Sequence, residues 1–599
     1  MKQYLIITNG GQFMKWNLEN LYTNLDAWQK DYDQIQSLLK EIPNYEGKLG
    51  DFEHFKAYYL IQKEVVTKLY KLYQYAALNS DLNRKNVDNA ARVQKMGYLI
   101  NEIQKVTAFE SPEILSLGKD KALSFIDKDE ALKEYRFSIE KLFHQQAHVL
   151  DGKSEGLLAN YNQLSNQGAQ LYSALSVADN TTKEVTLKSG ETITVTSGNY
   201  RSYLADLEDA DDRETVFKAI FSYYEDHKHT YAQIYNTVLQ ADLAMMKSRN
   251  YNSSLEAYLF TNNIDPVVYH NLVNVAKENT GLLKRYYTIR KEVLGLKKHR
   301  TFDRFMPLAT SKSKFSYDEA KDLFFKSIDH LSDDFKAKAK DALKDGFVDV
   351  YEQEGKQTGA YSWSAVNEHP YILLNYDDTL NSVFTTAHEA GHSMHSLFAA
   401  ENQPVATQNY TIFVAEIAST FNEHLLLDYF ISNNKGTKED KIQLLQQSID
   451  DIMGTFYRQT LFAAYELKAH ELAEKGEAIN HETLSQIMID LYKDFYDIDI
   501  QDEPGKQYVW SYIPHMFNTP FYVYQYATSF AASLKLYELV KEDPSNIESH
   551  MTLLKSGGND WPVEQVKKAG IDLTTKEPFM AVVNRLETLL DELELALKE

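Results

Sequence analysis

Cysteine is absent from this 599-residue chain. That absence removes disulfide frameworks, thiol nucleophiles and thiolate-held zinc together. Chain breakers are scarce: 24 glycines and 12 prolines stand where average usage gives roughly 42 and 30. With 43% hydrophobic residues, such a chain is globular and mostly helical, and its length gives three or four domain-sized units or fewer larger ones. No apolar run approaches the roughly 18 to 20 residues needed to span a bilayer. Positive charge is in deficit, with 63 Lys and Arg against 86 Asp and Glu for a net charge of −23. That balance repels phosphate backbones and excludes general nucleic-acid binding. Any metal must be held by histidines and carboxylates.

At the N-terminus the apolar run Tyr4–Ile7 is too short for the roughly 7 to 15 residues of an export signal, so the expected location is cytoplasmic. Helical periodicity begins only after Met14. Residues 1–13 are read as an extension outside the native chain, with Gly10-Gly11 as the trace of a translated ribosome-binding site. An ordinary terminal segment is the alternative, and the intact mass of the natively expressed protein separates the two.

Apolar residues three or four apart predict helices from about Leu18 to Phe109 and from Lys121 to Ala178. Val185/Leu187 and Ile193/Val195 alternate about Ser189-Gly190, the pattern of a β-hairpin. A boundary is expected near residue 200, separating a helical lobe over 14–200 from a catalytic domain over 201–599. An extended region follows at 359–377, including Tyr371–Tyr376, and helices resume from Leu380. The last, with Val582, Leu586, Leu589, Leu593 and Leu597 on one stripe, is a packing helix.

The informative segment is His388-Glu389-Ala390-Gly391-His392. The expected number of chance HExxH matches in a chain with 17 His and 86 acids is below roughly 0.07. Residues four apart share a helix face about 6 Å apart along the axis, so both imidazoles can converge on one ion. Glu389, rotated by about 100°, suits a general base acting on water. The helix that starts here can be capped by Asp378 or Thr379.

A catalytic zinc site needs a third protein ligand. His395 lies about 10.5 Å along the axis from His388, which suits a supporting or packing residue. The metzincin pattern requires His at position 398, which is Phe398. Glu416 is the better candidate, early on the helix predicted from Ile412 among Phe413, Val414 and Ile417, where an unpaired carboxylate is costly to bury. Glu423, two turns on, is expected to orient a ligand histidine.

His388-Glu-Ala-Gly-His392 with Glu416 in a Phe-Val-Ala-Glu context resembles the zinc oligopeptidases related to thimet oligopeptidase. Trp16-Asn-Leu, Asn252-Ser-Ser-Leu-Glu-Ala-Tyr-Leu and Pro520-Phe-Tyr-Val-Tyr-Gln-Tyr-Ala-Thr-Ser529 look like oligoendopeptidase F, over nearly the whole chain beyond residue 14. The resemblance implies a mainly α, two-lobed zincin with a deep central channel and a small β-sheet beside the metal helix. It implies one Zn²⁺ per chain and oligopeptide substrates cut at internal bonds; the charge balance and the lack of a long apolar run separately argue against nucleic-acid and membrane partners. It also points to His515, Tyr522 and Tyr526, with Tyr524 as a further candidate, as groups that hold substrate and stabilise the oxyanion. Pro520 departs from the glycines of the thimet relatives, which leaves the tyrosine roles open. In this reading zinc held by His388, His392 and Glu416 acidifies water and Glu389 is the base, while the strand at Tyr371–Tyr376 is a candidate for edge pairing with extended substrate. The rivals are an exopeptidase using the same site and a helical scaffold without activity.

Overall fold

The computed structural model describes residues 14–599 except 152–153, 156, 159–163 and 434–435; the expected extension over 1–13 lies outside the described residues. The chain is mainly helical with two small sheets. By contacts it forms two compact units, each assembled from three segments. One comprises residues through Ala147, Ser313–Asn433 and Ser533–Ile571; the other comprises His148–Lys312, Asn434–Ala532 and Asp572–Glu599. This division differs from the expected boundary near residue 200, because the N-terminal helices share a core with a segment some 200 residues downstream.

In the first unit, side-chain caps start the early helices: Asn24 accepts from Ala27 N–H before Leu25–Glu41, and Asp51 from His54 N–H before Phe52–Leu82. Each cap satisfies one of the four backbone donors that a helix start leaves open. Leu25–Glu41 buries Trp28, Tyr32, Ile35 and Leu39 on one stripe. Ile35 and Leu39 contribute about 1.5 to 3 kcal/mol each on burial. These residues join Phe55, Tyr58 and Leu72 of the second helix and Tyr371 and Leu373 downstream in one core.

The three-stranded sheet belongs to this unit. Strand β3 (Val348–Asp349) pairs parallel with β5 (Tyr371–Leu373), and β4 (Tyr361–Trp363) pairs antiparallel with β5, Tyr361 opposite Leu373. Strand β5 is therefore central, and Ile372, Leu374 and Tyr376 donate to the carbonyls of Phe347, Asp349 and Val350. The expected edge pairing of substrate on Tyr371–Tyr376 is corrected: Tyr371–Leu373 is flanked by a strand on each side, and the edge strands of this sheet are β3 and β4.

In the second unit, the predicted hairpin is β1 (Lys183–Thr186) and β2 (Thr192–Val195), with Val185 opposite Ile193. Gly190 supplies the positive φ (+86°) of its turn. The final helix, Glu577–Lys598, buries Val582, Leu586, Leu589 and Leu593 against Lys438–Asp451 and Pro266–Glu278, so the stripe serves packing within the chain.

Candidate metal centre

Thr379 caps the first metal-site helix, Leu380–Asn402, by accepting from Ser382 N–H. Asp377 fixes the entry by accepting from the hydroxyls of Thr379 (2.6 Å) and Ser382 (2.7 Å). On this helix the Nε2 atoms of His388 and His392 lie 3.2 Å apart. The second helix, Ile412–Ser432, brings Glu416 Oε2 to 3.5 Å from each. Ser419 Oγ donates to the same oxygen at 3.0 Å and holds its rotamer.

Glu423, two turns beyond Glu416, accepts from His388 Nδ1, which leaves the His388 Nε2 lone pair facing the other two atoms. With its Nδ1 turned to Glu423, a neutral His388 offers Nε2 as an electron-pair donor, so three potential ligand atoms converge as a cation would require. Four-coordinate zinc with bonds of about 2.0 to 2.2 Å sets its ligand atoms about 3.3 to 3.6 Å apart, and the observed separations of 3.2, 3.5 and 3.5 Å are close to that range. Among the described residues this is the one group of three such side chains able to hold a metal ion. Replacing Glu423 with Ala frees the His388 ring, so metal affinity is expected to fall about 10- to 100-fold. Competition with a chelating dye measures it.

Glu389 points off the ligand face. It is 5% exposed, receives the Ser362 N–H of β4, and its Oε2 has no hydrogen-bond partner. Burial pushes its carboxyl up to about 7; His388 opposes that rise, while Glu416 and Glu423 add to it. A carboxylate so poised is suited to exchanging protons near neutral pH. His395 is fully buried and stacked on Tyr410, with ring centroids 3.5 Å apart, so it supports the helix by packing.

Gly391 is a functional position that spacing alone does not reveal. A Cβ there would meet Ala418 O at 2.5 Å and Ser419 Cα at 2.6 Å, so the two helices touch backbone to backbone. Asn422 ties the same crossing by donating to Ala387 O at 3.1 Å. The available signal was a glycine inside a helix, which costs about 1 kcal/mol against Ala unless packing requires it.

The second unit holds the other predicted residues as one cluster. His515 and Tyr522 have nearly parallel rings with centroids 5.7 Å apart, and Tyr526 lies 6.1 Å from His515 and 5.5 Å from Tyr522. Burial lowers the His515 pKa. Tyr524 instead is buried and packs on Tyr269 at 5.1 Å.

Two histidines one turn apart, a carboxylate from the next helix and a free buried glutamate beside them define a metallopeptidase, a hydrolase. The chain belongs to peptidase family M3, whose model matches residues 203–584, while a model described as oligopeptidase F matches 113–181. It is 35% identical to oligopeptidase PepF of Bacillus subtilis (strain 168) over 97% of this chain and 86% of that protein. An oligoendopeptidase F homolog of Borreliella burgdorferi is 34% identical over 97% and 98%. The crystal structure of oligoendopeptidase-F from Enterococcus faecium superposes with a TM-score of 0.74 at 28% identity, covering 95% of this chain and 98% of that one. Among the described residues, no helix is long and apolar enough to cross a membrane.

Proposed function

We propose that the chain is a zinc-dependent endopeptidase that hydrolyses internal bonds of short oligopeptides. The observation that carries this is the convergence of His388, His392 and Glu416 within 3.2 to 3.5 Å, with Glu389 beside them. The names of the relatives support the substrate class. When bound, Zn²⁺ supplies a Lewis acid that acidifies water and polarises the scissile carbonyl.

The chain's own residues do the rest. Glu389 takes a proton from the attacking water and returns it to the leaving amine. His515, Tyr522 and Tyr526 offer N–H and O–H donors of the kind that stabilises a developing oxyanion. The open edge of β4 offers main-chain groups to an extended peptide, and Ser362 on that strand already contacts Glu389.

The test is a fluorogenic peptide blocked at both ends. Cleavage at an internal bond, lost on chelation and restored by one equivalent of zinc, is expected. Glu416→Ala is expected to lose stoichiometric zinc, because two imidazoles alone do not complete the site. Cleavage of free-ended peptides only, indifference to chelators, or full zinc in Glu416→Ala would overturn the assignment.

A further inference from the structure

Phe521 stands immediately before Tyr522 and has φ +53°, in the left-handed region that an aromatic residue adopts only when its surroundings impose it. The residue before it is Pro520, whose ring fixes its own φ, so Phe521 is where the backbone turns Tyr522 toward His515. Two features of the second unit hold that turn. Glu466, fully buried on the helix Arg458–Glu474, accepts the Phe521 N–H at 3.1 Å. The Phe521 ring is packed by His470 at 4.5 Å, Tyr258 at 5.4 Å and Tyr269 at 6.0 Å.

His470 is itself locked. Its Nδ1 faces the Glu466 carbonyl at 2.8 Å and its Nε2 faces Asp242 Oδ2 at 3.0 Å. Both neighbours are acceptors, so the ring carries both protons and forms a buried ion pair with Asp242, which also accepts from Tyr258 at 2.7 Å. Glu466 Oε2 has no hydrogen-bond partner. A fully buried carboxylate bonded through one oxygen to a single strained amide is a costly arrangement. An apolar side chain there would avoid the cost of the buried carboxylate but would leave the buried Phe521 N–H without its acceptor.

We propose that Glu466 is a positioning residue for hydrolysis: through the Phe521 N–H it sets the Tyr522 ring against His515, without touching substrate. This rests on the reading that His515 and Tyr522 act on the oxyanion. A positioning role makes the effect fall on kcat, whereas a merely structural role would lower stability and leave the turnover of folded enzyme unchanged.

The test compares Glu466→Gln and Glu466→Leu in the zinc-loaded enzyme on the end-blocked fluorogenic peptide. Gln keeps an acceptor for the amide and is expected to retain at least a third of kcat. Leu fills the space without an acceptor and is expected to lose about 10- to 100-fold in kcat, as a small misplacement of a catalytic donor does, with KM within about threefold and zinc still one per chain. Adding Glu466→Leu to Tyr522→Phe is expected to cost little more, since both act through one side chain. Full kcat in folded Glu466→Leu, or additive losses in the double variant, would overturn the proposal. So would a Glu466→Gln enzyme below a tenth of wild-type kcat, whether or not the Leu variant folds. Full kcat in both Tyr522→Phe and His515→Ala would instead overturn the oxyanion reading, and the positioning role with it.

Discussion

Glu389→Gln is expected to keep one zinc per chain and to lose about 10²- to 10⁴-fold in kcat, the range for removing a general base. The two side chains have nearly the same shape, and Gln retains an oxygen for the Ser362 N–H, so the local fold is preserved. The ligand triangle does not include Glu389, so metal content should not follow activity. What disappears is the ability to accept a proton: an amide oxygen is not a base at any working pH. Metal analysis and steady-state kinetics on the end-blocked peptide read the two quantities separately. A variant with a tenth or more of wild-type kcat would remove Glu389 from its role, and a variant without zinc would show that it supports the ligands instead.

Gly391→Ala is the second large effect, and it acts through the backbone. The added methyl lies 2.5 Å from Ala418 O, 2.6 Å from Ser419 Cα and 2.7 Å from Ala418 C. None of these atoms can rotate away, so Ile412–Ser432 must shift along its contact with Leu380–Asn402. Overpacking of this kind costs about 1 to 3 kcal/mol, which a thermal melt in excess chelator measures without the contribution of bound metal. The same shift carries Glu416 and Glu423 away from the histidines. A metal site tolerates only about 0.5 Å of displacement, so zinc affinity is expected to fall by more than about tenfold, as for loss of a ligand-orienting partner. An Ala variant with unchanged melting and zinc affinity would mean that the crossing has slack the backbone distances do not show.

What could be read before the fold was known follows from short-range geometry. The i, i+4 rule placed His388 and His392 on one face, and Thr379 was one of two cap candidates at the start of that helix. The alternation about Ser189-Gly190 found the hairpin, and the stripe from Val582 to Leu593 found a packing helix. In each case the period of the element itself writes the pattern into neighbouring residues. Strand β5 shows where that information ends. Its apolar run marks a strand, but which strands flank it depends on β3 and β4, and a buried central strand reads the same from sequence whichever partners it takes. Tyr522 and Tyr524 show the same limit: two residues of one type, two apart, face different neighbours, His515 for one and Tyr269 for the other, and only the packing around them decides which.

The local sequence by itself determined that this chain is helical, free of thiol chemistry and equipped with a two-histidine helix carrying a glutamate beside the pair. The tertiary structure decided that Glu416 reaches both imidazoles, that Gly391 permits the approach, and that Glu423 fixes the ring of His388. It also decided that segments far apart in the chain share one compact unit. The reason is that a helix dictates the spacing of its own side chains within a few residues. The meeting of two helices is instead set by every contact that packs them, and no single interval along the chain records it.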